Sequence, residues 1–340
     1  MAVYNKKLPS PFPYFGGKSR VADLIWSRFG TVKNYVEPFF GSGAVLLARP
    51  GEITGTETVN DADGMVANFW RALKTCPELV AEHADHPVNE NDLHARHAWL
   101  VRTQLGTLAA KLEGDPEWCD PKVAGWWVWG MACWIGSGFC SGKGPWAVDV
   151  DGSRQLVRTK AAGQGVNRKR VHLGNAGQGV NRKRVHLLDY MTALAERLRD
   201  VRVCCGDWER VCGPTPLFPS GKTGHTAVFL DPPYTAEAGR TDGIYAVDDL
   251  SVGHRAALWA RAHGGDQRLR IALCGYEGEY EFPGDWECIA WKAEGGYGGQ
   301  STGRGRKNSG RERVWFSPGC VGPRPRRGSL VRVPSWMKNM

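Results

Sequence analysis

Val228–Thr235, "VFLDPPYT", is the stretch on which the reading of this 340-residue chain turns. Its first three residues close the apolar run "TAVFL". An apolar run without polar alternation reads as a strand buried on both faces, as in a parallel sheet covered by helices. Asp231 ends the run, and Pro232 and Pro233 follow. Prolines have no N–H, so they stiffen the turn and leave backbone carbonyls aimed outward. Tyr234 adds an aromatic face. Together these groups suit a flat heteroaromatic amine. The carboxylate accepts one N–H, a prolyl carbonyl accepts the other, and the ring stacks on the base. The plainer alternative is a rigid strand-ending turn with a packed tyrosine.

The same grammar recurs on either side. "VRVCC" (201–205) is a second apolar run with an acid, Asp207, in the turn beyond it. "NYVEPF" (34–39) runs into the glycine loop "GSG" (41–43), and "AVLLAR" then starts a helix. Val21, Leu24, Ile25 and Phe29 have helical spacing; so do Met65, Phe69, Trp70 and Leu73, opened by Asp61 or Asp63 as N-cap. Met191, Leu194, Ala195 and Leu198 form another helical stripe, and "HRAALWARAH" (254–263) reads as a helix. "LRIALCGY" (269–276) and "RERVWFS" (311–317) read as late strands. Short apolar strands alternating with helices predict an α/β fold with a mainly parallel sheet covered on both faces.

The middle of the chain breaks this rhythm. From about 76 to 200 it holds a helical stretch, the Trp- and Gly-rich "GWWVWGMACWIGSGFCSGKGPWAV" (125–148) and a basic segment. "SGFCSGKGPW" has the turn residues of a hairpin or long loop. "AGQGVNRKRVHL" occurs at Ala162–Leu173 and again, identically, at Ala176–Leu187. Two copies are too few for a solenoid, so a duplication in a tolerant loop is expected. The net charge is +9 and it is clustered. No acid occurs from Gly152 to Leu188, and the zone from Arg304 to the end is broken only by Glu312. Clustered bases suit a polyanion; a solvated basic surface is the alternative. No apolar run reaches the roughly 18 residues a membrane span needs, and the first residues lack the apolar core of a leader. The ten cysteines include no CxxC pair and no zinc-ligand spacing. They read as reduced, mostly buried small hydrophobes.

"FGGKSR" (15–20) ends like a phosphate loop. The first glycine of GxxxxGK[ST] would fall at position 12, where Phe12 stands between Pro11 and Pro13. No strand precedes it, so the reading is a turn capping a helix that starts near Arg20. The "GSG" loop fails GxGxxG because Leu46 stands at the third glycine. A GxG alone is weak. Glu37 strengthens it by its place at a strand's carboxyl end, where such sheets bind ligands.

In this order the motifs "PYFGGKS", "VEPFFGSG", "NDADG", a long insertion, "GDW" and "LDPPY" resemble those of the Dam-type, alpha-group N6-adenine-specific DNA methyltransferases. The resemblance covers about Pro11–Trp70 and Asp189–Ser317. It implies a class I S-adenosylmethionine-dependent methyltransferase fold, Rossmann-like, with a mainly parallel seven-stranded sheet and an inserted target-recognition region. The implied division is a catalytic domain over 9–75 and 189–318, an insert over 76–188 and a basic, disordered tail over 319–340. The implied reaction transfers the methyl of S-adenosylmethionine to the amino group of a flipped-out adenine in double-stranded DNA. The implied catalytic motif is Asp231, Pro232, Pro233 and Tyr234. Phe15, Gly16 and Lys18 look like the N-terminal cofactor motif, with Lys18 near the cofactor or the target base. Glu37, Pro38, Phe39, Gly41, Ser42 and Gly43 look like the cofactor loop. Asp61 matches the acid that holds the cofactor ribose, and Asp207 the acid that binds its adenine; Asp231 borders the same pocket. Lys143 and the repeated basic triplets Arg168, Lys169, Arg170 and Arg182, Lys183, Arg184 are the expected phosphate contacts. A monomer on DNA, no metal, no membrane and a cytoplasmic site in a prokaryotic or phage-infected cell complete the expectation. Trp134–Ile135 stand where Phe-Asn is usual, and Phe139–Cys140 where an aromatic–Arg pair is usual, which leaves the target sequence open. An N4-cytosine or RNA amino-methyltransferase, and an inactive DNA-binding relative, are the alternatives.

Overall fold

The computed structural model describes residues 8–14, 17–104, 106–134, 139–140, 146–148, 154–156, 169–171, 174–175, 187–219, 224–234, 251–292 and 310–322. A single turn of 3₁₀ helix at Lys18–Arg20 leads into α1 (Ala22–Phe29), as the turn residues of "FGGKSR" predict. Strand β1 (Asn34–Glu37) follows, then the short α2 (Ala44–Leu47) and β2 (Thr56–Asp61). Helix α3 (Gly64–Thr75) is capped by Asp63, whose side chain accepts from the Met65 amide. Four helices come next: α4 (Pro77–Ala84), α5 (Glu90–Gln104), α6 (Leu108–Gly114) and α7 (Pro121–Cys133). The α/β framework resumes with α8 (Leu187–Leu198), β3 (Val201–Cys205), α9 (Pro214–Leu217), β4 (Thr226–Leu230) and α10 (Val252–His263). It ends with β5 (Leu269–Tyr276), β6 (Glu287–Ala290) and β7 (Glu312–Phe316).

The seven strands form one sheet in the order β6-β7-β5-β4-β1-β2-β3. The five strands from β5 to β3 run parallel, and β7 inserts antiparallel between β5 and β6. Period-two alternation sends successive side chains to opposite faces. Tyr35, Ala227, Phe229, Ala272 and Cys274 join a core cluster with α1–α8. Val36, Val228, Leu230, Ile271 and Leu273 join a second cluster with Ala256 and Ala260 of α10. Both faces are thus covered, which is why β4 and β5 read as mainly apolar runs. At the edge, β6 alternates between half-buried and exposed positions, so its sequence, "ECIA", gives no such run.

The Trp-rich stretch is helix α7 as far as Cys133. Asp120 caps it through the Val123 amide, and Pro121 takes the first helical position, where its missing N–H costs nothing. Helix α7 is buried nearly all round, packing against α3, α4 and α5. Beyond it, 146–148 pairs antiparallel with 154–156; most of "SGFCSGKGPW", read as a hairpin or long loop, lies outside the described residues. A second antiparallel pair joins 169–170 of the first repeat copy to 174–175, the two residues between the copies. All ten cysteines are free. Residues 319–322, expected at the start of a tail, are held: the Val321 amide donates to Arg28 O at 2.7 Å.

Candidate active site

Strand β1 lies between β2 and β4, with the connections leaving in opposite directions. This is the topological switch point, where the strand ends part and leave a crevice. The crevice is a cleft with about 1050 Å³ of empty space, counting its open mouth. Its walls bring together the tips of β1, β2, β3 and β4, with Lys18 from the N-terminal turn and Arg255 from α10.

The β1 side is a loop bent back on itself. Gly41 and Gly43 have φ of 47° and 68°, values that side-chain-bearing residues rarely adopt. A Cβ at Gly41 would meet the Tyr14 ring at 2.6 Å. One at Gly43 would meet the Phe40 ring at 2.9 Å. Hydrogen bonds fix the loop. Trp70 Nε1 donates to Gly41 O at 2.8 Å, and Gly41 N donates to Asp61 Oδ2 at 2.9 Å. Asn60, at the end of β2, donates through Nδ2 to Pro38 O (3.1 Å) and to Gly206 O (3.0 Å). One buried amide therefore ties the β1 and β3 turns together. Asn60 stood in the quoted "NDADG", yet its role needs the neighbouring loops to be visible.

The three acids expected at the cofactor differ in setting. Glu37 reaches the cleft floor but lies beneath the loop, 2% exposed. Its Oε2 accepts from Tyr35 Oη at 2.8 Å, and it also accepts from the Leu46 amide. Burial pushes its carboxyl far above the ordinary range. Glu37 therefore braces the loop from below. Asp61 is half-buried, with Oδ2 on Gly41 N and Oδ1 on Asp63 N. Burial raises its carboxyl to about 7, Asp63 adds to the rise and the two amides oppose it. Asp207 is half exposed and accepts from the Glu209 amide at 2.8 Å. Arg255 reaches it at 3.4 Å while holding Glu209 at 2.6 Å. Beside Asp207, the rings of Phe39 and Trp208 lie 5.7 Å apart at 33°, both on the cleft wall. Pro38, Gly41 and Ser42 also line the cleft, whereas Gly43 turns toward Phe40 and Trp70.

The β4 side is ionic. Lys18, 4% exposed, places Nζ 2.9 Å from Asp231 Oδ1 and donates to Tyr234 Oη at 3.0 Å. Between the two expected positions for Lys18, the structure places it at the DPPY tip. Burial opposes the lysine's charge, but Asp231 and Glu312 outweigh it and hold Lys18 protonated. Burial raises the Asp231 carboxyl, and Lys18 pulls it back. Tyr234 is itself buried, with its ring edge-on to Tyr276 at 4.5 Å. Asp231 and Pro233 face the cleft.

Phe139 and Cys140 occupy the turn where an aromatic–Arg pair was usual. Both are buried. The Phe139 ring fills the notch left by Gly130 on α7, where a Cβ would come within 2.1 Å. Cys140 N donates to His97 Nδ1 at 3.4 Å. Position 140 therefore faces inward, and an arginine there would meet protein rather than a phosphate. Phe15, Gly16, Lys143, Arg168, Arg182, Lys183 and Arg184 lie outside the described residues, and Lys169 and Arg170 are described only as backbone of the short pair. Among the described residues no cluster of metal-ligating side chains occurs. No described helix is long and apolar enough to cross a membrane.

A seven-stranded sheet in this order, with a glycine loop and acids at the tips beside its switch point, has the class I S-adenosylmethionine-dependent methyltransferase architecture. Residues 14–100 match the family model of the D12 class N6 adenine-specific DNA methyltransferases, which supports an enzyme of that kind. The match spans the N-terminal turn, the glycine loop, Asp61 and α3, whereas Asp207 and Asp231–Tyr234 lie outside it. No curated protein matches the chain.

Proposed function

We propose that this chain transfers a methyl group from S-adenosylmethionine to the exocyclic amino group of an adenine swung out of duplex DNA. One observation carries the proposal: the glycine loop, Asp61, Asp207 and the Asp231 tip line a single cleft. The residues fit the cofactor. A Cβ at Gly41 would strike the Tyr14 ring, so the loop backbone packs directly against another residue of the cleft wall. Acids stand where hydroxyl and amino donors need acceptors. When bound, the sulfonium supplies an activated methyl group.

The chain's own residues do the rest. Asp61 is assigned to the ribose hydroxyls and Asp207 to the adenine amino group, with Phe39 and Trp208 flanking the ring. An aromatic amine is a poor nucleophile because its lone pair is conjugated. Asp231 and the Pro232 carbonyl accept its two hydrogens and turn the lone pair toward the methyl group. Lys18 donates to Asp231 already, so it must yield part of that carboxylate to the incoming amine. Most of the acceleration comes from positioning and from dipoles set where charge develops. A base inside a duplex cannot reach this cleft, so the target must be extruded, with Tyr234 beside it. Residues 9–75 and 189–318 form the catalytic domain in this reading and 76–188 the recognition insert, whose basic triplets hold phosphates.

Labelled S-adenosylmethionine and unmethylated DNA test the reaction. The expected product on nucleoside digestion is N6-methyladenine. N4-methylcytosine, or label in RNA alone, would point to the corresponding alternative, and absence of both binding and transfer to a DNA-binding relative. Deleting 176–187 removes three cations, so the salt slope of DNA binding should fall by up to about 3. An unchanged slope would mean that the second copy does not touch phosphates.

A further inference from the structure

Glu312 was the lone acid of the basic C-terminal zone, and the proposed reaction does not use it. It lies on β7 next to Val314, Trp315 and Phe316 of the core, and is only 4% exposed. A carboxylate buried in an apolar strand is costly unless it is paired and hydrogen-bonded. Its partner is the catalytic tip. Tyr234 Oη donates to Glu312 Oε2 at 2.7 Å, and Tyr234 Oη itself accepts from Lys18 Nζ at 3.0 Å. Lys18 in turn sits 2.9 Å from Asp231 Oδ1. The donors therefore run in one direction, from Lys18 to Tyr234 to Glu312.

The surroundings leave the Tyr234 ring one place. In the sheet register Glu312 stands opposite Tyr276, whose ring meets that of Tyr234 edge-on at 4.5 Å. The Glu312 carbonyl accepts the Trp291 amide at 3.1 Å, and the Trp291 ring lies 5.5 Å from Lys18 Nζ. Position 312 thus fixes the tyrosine hydroxyl by its side chain and the far wall of the lysine pocket by its backbone. It also gives Lys18 a second anion, reached through the phenol, when an amine claims Asp231.

We infer that Glu312 is a positioning residue for methyl transfer: its buried carboxylate anchors the Tyr234 hydroxyl, and through it sets the ring and Lys18 against Asp231. The inference rests on the function proposed above, and wild-type transfer measured alongside keeps the two apart. No wild-type transfer would defeat that reading, whereas wild-type transfer with indifferent variants defeats only this inference. The experiment compares Glu312→Gln, Glu312→Ala, Tyr234→Phe and the double variant Glu312→Ala/Tyr234→Phe in the full chain. Rates are taken per folded molecule, with cofactor affinity from calorimetry. Glu312→Ala should lower kcat roughly 10- to 100-fold, as for a lost hydrogen bond to a charged group. Cofactor affinity should stay within about twofold, because the change falls on the transfer step rather than on cofactor binding. Glu312→Gln keeps an acceptor for the hydroxyl and should retain more activity than Glu312→Ala. The double variant should be no slower than the worse single one, since both act through one bond. An unchanged kcat in Glu312→Ala would overturn the inference, as would equal losses in the Gln and Ala variants or multiplying losses in the double one.

Discussion

Strands β1 and β4 are neighbours in the sheet, yet their tips are held by different physics. The β1 tip is stitched mainly by neutral hydrogen bonds from Asn60 and Trp70, with the Gly41 amide donating to the Asp61 carboxyl. The β4 tip is held by buried charge, with Lys18 between Asp231 and the Tyr234–Glu312 pair. Neutral bonds make a rigid cradle that suits a cofactor bound the same way in every turnover. An ion pair can exchange one partner for another, which suits a site that must accept and release a base. Losing a neutral bond should therefore loosen binding, whereas losing a charge should stop the chemistry.

The largest break in that contrast is Asp231→Ala. Transfer should fall by about a thousandfold or more, with cofactor affinity largely kept. Lys18 loses an ionic partner, so the variant should also be less stable by about 3 kcal/mol, the low end for a broken buried pair. Substantial residual methylation would remove Asp231 from its role. At the other tip, Gly41→Ala forces a methyl toward Tyr14 at a φ of 47°. Cofactor affinity should drop at least ~tenfold, while kcat at saturation stays near that of the wild type. A kcat loss without an affinity loss would erase the distinction between the tips.

Asp61 lets pH sharpen the same comparison. Its carboxyl titrates near 7 in the folded chain because of burial, against about 4 when unfolded. The folded state thus keeps its proton longer, and this acid costs stability as pH rises from about 4, the cost levelling above about 7. The ionised form is the better acceptor for hydroxyls. Cofactor affinity should therefore rise about tenfold from pH 6 to pH 8, and Asp61→Asn should flatten that rise in calorimetry. The smallest expected effect is Asn60→Ala. Two loop carbonyls lose their donor, and chemical denaturation should show about 2 kcal/mol less stability, with a few-fold weaker cofactor binding.

What was legible in the sequence follows from burial. Strands β4 and β5 are buried almost throughout and showed as mainly apolar runs. Strand β1 was legible from its glycine loop. Strand β2, equally buried, carries Thr56, Glu57, Thr58 and Asn60 and showed no such run. Edge strand β6 has one face toward solvent and left no run to see. Asp63 announced itself as a helix cap by its place before α3. Glu37 was visible as an acid at a strand tip, but its inward turn was not. Residues two apart on a strand share a face, so Glu37 points where Tyr35 points, beneath the loop. Glu312 was visible only as an exception, the one acid in a basic zone, and its purpose appears once β7 lies beside β5. The arginine missing at position 140 looked like a lost phosphate contact; the seat of Phe139 in the Gly130 notch shows a turn packed inward instead.

Asn68 joins α3 to the insert by a two-way clasp, donating to Asp120 O at 2.9 Å and accepting from Asp120 N at 2.8 Å. Asp120 caps α7, which seats Phe139, and Trp70, two residues beyond Asn68, grips Gly41. Helix α3 therefore bonds both to the proposed recognition insert, through Asn68, and to the glycine loop, through Trp70. Any factor by which duplex seated on the insert changes the grip on the cofactor is, by thermodynamic reciprocity, the factor by which cofactor changes the grip on duplex.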